Sequence, residues 1–375
     1  MLTLVLIVVA TALVFEYING FHDTANSIAT VVATKVLSPM QAVGLAASMN
    51  LIGALMGTAV AKTISSGLID AGVVDVGSQL ILCALLGGIV WNLITWWWGL
   101  PSSSSHALIG GLIGAALAAA SNNLDVVIWS EPAQPVWHSA GVLWKVIVPM
   151  VSSPVLGFAA GFLMMGVLFF AISMMARSGG VLARIARPRW VNAFFGKSQI
   201  VSAAGMGFAH GMNDAQKTMG IVALTLVSAQ SVGTLDNLPA WLAFLHPSEA
   251  ALAEGDIDLW IKITCAVVMA AGTAAGGWRI IKTLGHKLVK LHPIHGFAAE
   301  TSAASVILAA SSMGIPVSTT HNISAAIMGV GTAKRLNAIK WTVVNKMIWA
   351  WILTIPMSGG IAYGLFRMFH HFGWV

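Results

Sequence analysis

The sequence predicts an all-α polytopic membrane protein built from two inverted-topology repeats, with broken helices and two re-entrant helical hairpins. Three observations predict it: the apolar composition, the placement of the few charges, and a pair of motifs that occurs twice in the same order. Of 375 residues, 57% are hydrophobic and 9% are charged, against roughly 25% charged in a soluble domain. Mean hydropathy is +0.85. A soluble enzyme and a disordered chain are excluded, because too few polar groups exist to coat a water-facing surface. Apolar runs near the ~20 residues that cross a bilayer as helix recur along the whole chain. They do not alternate, which argues against a β-barrel.

The elements follow in order. The first 18 residues have neither a basic flank nor a small-residue cleavage site and read as a span rather than a signal peptide. The run at 2–37 is interrupted by polar residues near 19–27. Runs follow at 40–61, 78–99 and 103–120, then at 141–175, where Pro149 and Pro154 predict a kink. After a basic segment come 199–230, 260–277, 297–313, 318–333 and 341–367. Cys83 and Cys265 lie inside apolar runs, so neither a disulfide framework nor a metal cluster is indicated.

Charge orients this path. Arg177, Arg184, Arg187, Arg189 and Lys197 form an acid-free segment, as do Arg279, Lys282, Lys287 and Lys290, and again Lys334, Arg335, Lys340 and Lys346. The acids Asp236, Glu249, Glu254, Asp256 and Asp258 share one loop, and Asp125 and Glu131 another. Basic segments stay cytoplasmic, so both termini fall outside. The division is a first repeat at 1–176, a basic cytoplasmic loop at 177–197 and a second repeat at 198–375. Charge leaves open whether 78–120 and 297–333 are hairpins or two full spans each.

The repeat is visible in residues. Gly20-Phe21-His22-Asp23-Thr24-Ala25-Asn26-Ser27 matches Gly211-Met212-Asn213-Asp214-Ala215-Gln216-Lys217-Thr218. Pro101-Ser102-Ser103-Ser104-Ser105-His106 matches Pro316-Val317-Ser318-Thr319-Thr320-His321. One half starts outside and the other inside, an inversion that places a transport site at the midplane. An acid within a span costs at least about 2.5 kcal/mol at the bilayer centre, so Asp23 and Asp214 are functional candidates by default. The hydroxyl clusters cap helix starts. Such starts also bind anions, through free N–H groups and positive partial charge. Two of them facing each other read as a cage for a tetrahedral oxyanion. His106 and His321 read as oriented helix-start residues; His22 and His210 each abut an Asp motif; Glu16 and Glu300 are lone acids in apolar context. The 15 Trp residues, Trp96-Trp97-Trp98 among them, are interface belt or packing.

These four ordered motifs resemble the duplicated signatures of the inorganic phosphate transporter (Pit) family, over almost the whole chain. The resemblance implies phosphate held between two inverted repeats. The candidate substrate contacts are then Asp23, Asn26, Ser103, Ser104, Ser105, Asn213, Asp214, Lys217, Ser318, Thr319 and Thr320, with Asp23, Asp214 and Glu300 as candidate coupling-ion sites. His22 and Lys217 are similar to the bacterial proton-coupled branch, and Asn50 stands where sodium-coupled relatives carry a glutamate. The expected function is import of inorganic phosphate, free or paired with a metal, by proton symport across the inner (plasma) membrane. No cofactor, resident metal or nucleic acid is expected; the partners are phosphate, the coupling cation and the bilayer, with a homodimer left open. The rivals are a sodium-coupled phosphate symporter, a sulfate permease of the same architecture and, from another class, an intramembrane Ser–His–Asp hydrolase. The last needs only one set of residues that here come duplicated.

Overall fold

A computed structural model describes residues 1–66, 68–70, 73, 76–134 and 139–373. The first half contains α1 (Leu2–Ala33), α2 (Pro39–Ala54), α3 (Ala59–Ser66), α4 (Ser78–Trp98), α5 (Ser104–Ala119) and α6 (Val148–Arg177). Then come α7 (Gly180–Ile185), α8 (Pro188–Ser231), α9 (Glu249–Glu254), α10 (Leu259–Ala275), α11 (Trp278–Lys282), α12 (Pro293–Ser312), α13 (Thr319–Lys334) and α14 (Trp341–His371). Among the described residues there are only two isolated β-bridges and no sheet. Helices α1, α4, α14 and α6 with the π-helical turn that precedes it are long and apolar enough to cross a membrane.

Two elements differ from the sequence reading. The polar residues 19–27 do not interrupt α1, which stays helical throughout. The side chains of His22, Thr24 and Asn26 find partners on neighbouring helices, so the backbone has no need to open. The basic segment 177–197 is largely helical: it contains α7 and the start of α8, which begins at Pro188 and runs for 44 residues. Proline in the first turn suits that start, since it presets φ and lacks an N–H that would go unpaired there.

The two motif glycines serve close crossing rather than a break. A Cβ on Gly20 would stand 2.4 Å from the Met269 carbonyl oxygen on α10, and one on Gly211 would stand 2.2 Å from the Asn50 carbonyl oxygen on α2. Thus α1 presses on α10 as α8 presses on α2, and the remaining packing is paired in the same way. Helix α5 lies on α14 and α13 on α6; α4 pairs with α5 and α12 with α13; α1 meets α4 and α8 meets α12.

The apolar core is split in two. One part gathers Val5, Val8, Ala12, Phe15 and Ile18 of α1 with Ala215, Met219 and Val222 of α8. The other gathers Ala25, Ile28 and Val31 of α1 with Ala203, Met206 and Ala209 of α8. Between them lies a buried polar layer holding His22, Asp23, His210 and Asp214.

The helices that follow the two breaks start inside that layer. Helix α4 closes on Gly99, whose φ of +64° suits a residue without Cβ; the chain passes Pro101 and re-enters a helix at Ser104. Helix α12 gives way to α13 across Gly314, at φ +66°. Helices α5 and α13 have 16 residues each, about 24 Å at 1.5 Å per residue, short of a ~30 Å hydrocarbon core. Their N-termini are buried against Asp23 and Asp214, so the breaks sit at depth, as re-entrant hairpins require.

Candidate functional site

The hydroxyl clusters divide their work. Ser103 Oγ accepts from the His106 backbone N–H at 3.3 Å, and Ser318 Oγ accepts from the His321 N–H at 3.2 Å. These two expected substrate contacts are therefore N-caps. The next hydroxyls face the acids. Ser104 Oγ donates to Asp23 at 3.3 Å, Thr320 Oγ1 donates to Asp23 at 3.3 Å and Thr319 Oγ1 donates to Asp214 at 2.8 Å. Ser105 Oγ accepts from Lys217 Nζ.

The acids are held from both halves. His22 Nδ1 lies 2.7 Å from Asp23 Oδ1, and its Nε2 lies 3.2 Å from Thr95 Oγ1 on α4. Asn26 Nδ2 donates to Thr320 at 2.9 Å and Thr319 at 3.2 Å. Asp214 is paired with Lys217 and has His210 Nε2 at 3.0 Å. Lys217 Nζ also donates to the Val317 carbonyl at 3.0 Å. Asp23, His210 and Asp214 each bring one ligand atom within 4.8 Å of the others, close enough to share a cation. All these side chains are buried.

Of the residues singled out in the sequence, Asp23, Asn26, Ser104, Ser105, Asp214, Lys217, Thr319 and Thr320 thus meet in one cluster. Asn213 turns aside: its Nδ2 donates to Ser311 of α12 at 2.7 Å. Glu300 is separate as well. It accepts from Thr30 of α1 and from Ser202 and Gln199 of α8, within the second apolar core. Sequence reasoning missed Thr95, Thr30, Gln199 and Ser202. Even Gln199 gave no clear signal, since it stands at the first position of the run 199–230, next to Lys197 and Ser198.

Behind the clusters the histidines meet. The His106 and His321 rings stand 4.8 Å apart, edge to face, and His321 stacks on Trp351 of α14 at 4.3 Å. Trp351 Nε1 donates to the Pro101 carbonyl at 3.0 Å. One tryptophan therefore touches both hydroxyl–His motifs.

This arrangement offers an anion two helix N-termini, four inward hydroxyls and a lysine, beside two carboxylates that must be neutralised or shared. Comparison with known proteins agrees with that chemistry. Residues 19–362 match the Phosphate transporter family. A "Probable low-affinity inorganic phosphate transporter" of Bacillus subtilis (strain 168) is 40% identical, across 98% of both chains. A protein of the same description from Mycobacterium tuberculosis (strain ATCC 25618 / H37Rv) is 43% identical, across 99% of this chain and 79% of its own. A solved structure, "The sodium-dependent phosphate transporter", shares the fold with a TM-score of 0.76 at 22% identity, over 98% of this chain and 99% of that one. The chain belongs to the Phosphate transporter family.

Proposed function

We propose that this family member imports inorganic phosphate by proton symport, with alternating access between two inverted repeats. The observation that carries the reading is the state of the cage hydroxyls: Ser104, Thr319 and Thr320 donate to Asp23 and Asp214. An arriving phosphate needs those same donors for its oxygens. A proton on a carboxylate weakens its hold on the hydroxyls, turns them toward the anion and removes the repulsion between like charges. Loading of cation and anion is thereby linked in one cluster. Asp23, Asn26, Ser104, Ser105, Asp214, Lys217, Thr319 and Thr320 contact phosphate; Asp23, Asp214 and Glu300 carry the coupling proton.

Energetics require a partner ion. Moving HPO₄²⁻ inward against a negative interior costs about 2.3 kcal/mol per charge per 100 mV, or about 4.6 for two charges. The paired packing of α1 on α10 with α8 on α2, and of α5 on α14 with α13 on α6, supports the inverted repeat and a rocking motion about the polar layer. The acid-free basic segments support a plasma-membrane orientation with both termini outside. A Ser102–His22–Asp23 series is present, with Ser102 Oγ 3.4 Å from His22 Nε2 and His22 Nδ1 2.7 Å from Asp23, but Ser102 donates to Thr95 at 2.8 Å rather than to the ring, which argues against Ser–His–Asp hydrolysis.

Sodium is the rival driver, since the solved structure that shares the fold is described as sodium-dependent. Labelled phosphate uptake into proteoliposomes decides between them. Under proton symport an inward proton gradient drives accumulation, a protonophore abolishes it, and a sodium gradient alone does nothing. Accumulation that follows sodium and ignores the protonophore would reverse the assignment.

A further inference from the structure

We propose that Glu16 is a further coupling-cation site, a carboxylate that takes up a small monovalent cation on the side of the phosphate cage opposite Glu300. The inference rests on the symport reading and adds a residue to it. Glu16 and Glu300 are both 0% exposed, and each stands in one of the two apolar cores. Glu16 lies seven residues before Asp23 on α1; Thr30, which donates to Glu300, lies seven residues after it. At 1.5 Å per residue each is about 10 Å from Asp23, in opposite directions.

The two acids are also wired alike. Glu16 accepts from Thr218 of α8, and Thr218 sits one helical turn beyond Asp214. Glu300 accepts from Thr30 of α1, one turn beyond Asn26, which bonds the second hydroxyl cluster. Each carboxylate therefore bridges the two halves through a threonine of a substrate helix. A shift of α1 against α8 changes both bridges.

Glu16 needs a cation that the fold does not supply. Among the described residues the ion pairs are His22–Asp23, His210–Asp214 and Lys217–Asp214, and none includes Glu16. The groups that face it are Lys217 and Asp214 on α8 and the Cys265 thiol on α10. Cys83 is the one titratable residue of α4, and Lys262 lies half-buried on α10. Lys217 is engaged by Asp214, Ser105 and the Val317 carbonyl. Around Glu16 two acceptors lack donors. Its own Oε1 is buried without a partner, and so is Oδ1 of Asn19, whose amide nitrogen lies 3.4 Å from Glu16 Oε2. A buried carboxylate with unmet acceptors is stable only with its charge neutralised. A proton on Glu16 supplies both the neutralisation and a donor. Sodium would instead be held by the Glu16, Asn19 and Thr218 oxygens.

Reconstituted full-length protein tests this with labelled inorganic phosphate, comparing gradient-driven accumulation with phosphate–phosphate exchange at equal pH and salt. The wild-type arm identifies the driver; if neither a proton nor a sodium gradient drives accumulation, the symport reading itself falls. Glu16→Gln keeps the shape of a neutral carboxyl but cannot release or reload a cation. It is expected to lower accumulation by about fiftyfold per 100 mV of driving potential, the worth of one coupled charge, while exchange persists. Glu300→Gln should show the same split, and Glu16→Asp should regain part of the accumulation. If sodium drives the wild type and Glu16→Gln loses that response, the site stands with sodium as its ion. Glu16→Gln accumulating like wild type overturns the proposal. So does loss of exchange in both Glu16→Gln and Glu16→Asp, which makes Glu16 a structural residue.

Discussion

Asp23 and Asp214 occupy equivalent places on α1 and α8, yet their surroundings are unequal. Asp214 is clamped by Lys217 and flanked by His210, whereas Asp23 has His22 and two hydroxyls, from Ser104 and Thr320. The asymmetry comes from three positions in or next to the matched motifs: His22 stands where the second repeat has Asn213, Asn19 where it has His210, and Asn26 where it has Lys217. A lysine gives Asp214 a fixed counter-charge and ties it to both hydroxyl clusters, through Ser105 and the carbonyl before Ser318. Asparagine carries no charge, so the state of Asp23 is free to follow the substrate or the coupling cation. The matched motifs thus hold two similar acids in unequal settings, Asp214 beside a fixed cation and Asp23 without one.

The largest expected effect comes from Asp23. An ionised Asp23 beside phosphate can accept a hydrogen bond from the phosphate proton, which sulfate lacks at neutral pH. Sites that pair a polar group reject an analogue without the partner by up to about 10⁴–10⁵. Lys217 helps either anion, so the preference for phosphate should be clear but smaller than that. Asp23→Asn is expected to abolish driven uptake and to erase the preference in any residual binding. Competition of labelled phosphate with excess sulfate measures it; equal competition in wild type would remove the premise.

Next comes Asp214 with its lysine. Lys217→Met leaves Asp214 buried with the His210 ring and the Thr319 hydroxyl beside it and no lysine, and breaking a buried pair costs about 3–5 kcal/mol. Thermal unfolding in detergent should fall accordingly. Asp214→Asn added to Lys217→Met should recover most of the stability and none of the transport, since the uncompensated charge is gone while the site is still lost. Failure of that rescue would mean that Lys217 acts through Ser105 and Val317 rather than through Asp214.

The sequence made this site legible because its parts are duplicated: an Asp motif and a Pro–hydroxyl–His motif, twice in order, are more than helix capping alone calls for. It did not make legible which hydroxyls cap and which face inward, because Ser103 and Ser104 are the same residue type one position apart. That choice belongs to the helix start, where the N-cap side chain must turn back to its own backbone. Nor did it disclose the role of Gly20 and Gly211, since a glycine that breaks a helix and one that lets another helix cross at contact distance read alike. The surroundings of Glu300 were hidden for a different reason. Thr30, Gln199 and Ser202 lie on two helices far apart in sequence, and hydroxyl residues in apolar runs are common.

The smallest effect separates the two hydroxyl clusters. Thr319 donates to Asp214 at 2.8 Å and accepts from Asn26, while Ser104 donates to Asp23 at a longer 3.3 Å. A hydrogen bond to a charged group contributes about 1.5–3 kcal/mol, and the shorter bond is the stronger. Losing a donor to bound phosphate should therefore lower apparent affinity about tenfold or more for Thr319→Ala, and by less for Ser104→Ala. The stability of the empty protein separates this reading from capping. Neither residue is an N-cap, so neither change should melt α5 or α13, whereas Ser103→Ala and Ser318→Ala should each cost about 0.5–2 kcal/mol. Unchanged phosphate affinity in both Thr319→Ala and Ser104→Ala would return the clusters to a purely structural part. A larger loss at Ser104 would instead place the anion nearer the first hydroxyl cluster than the second.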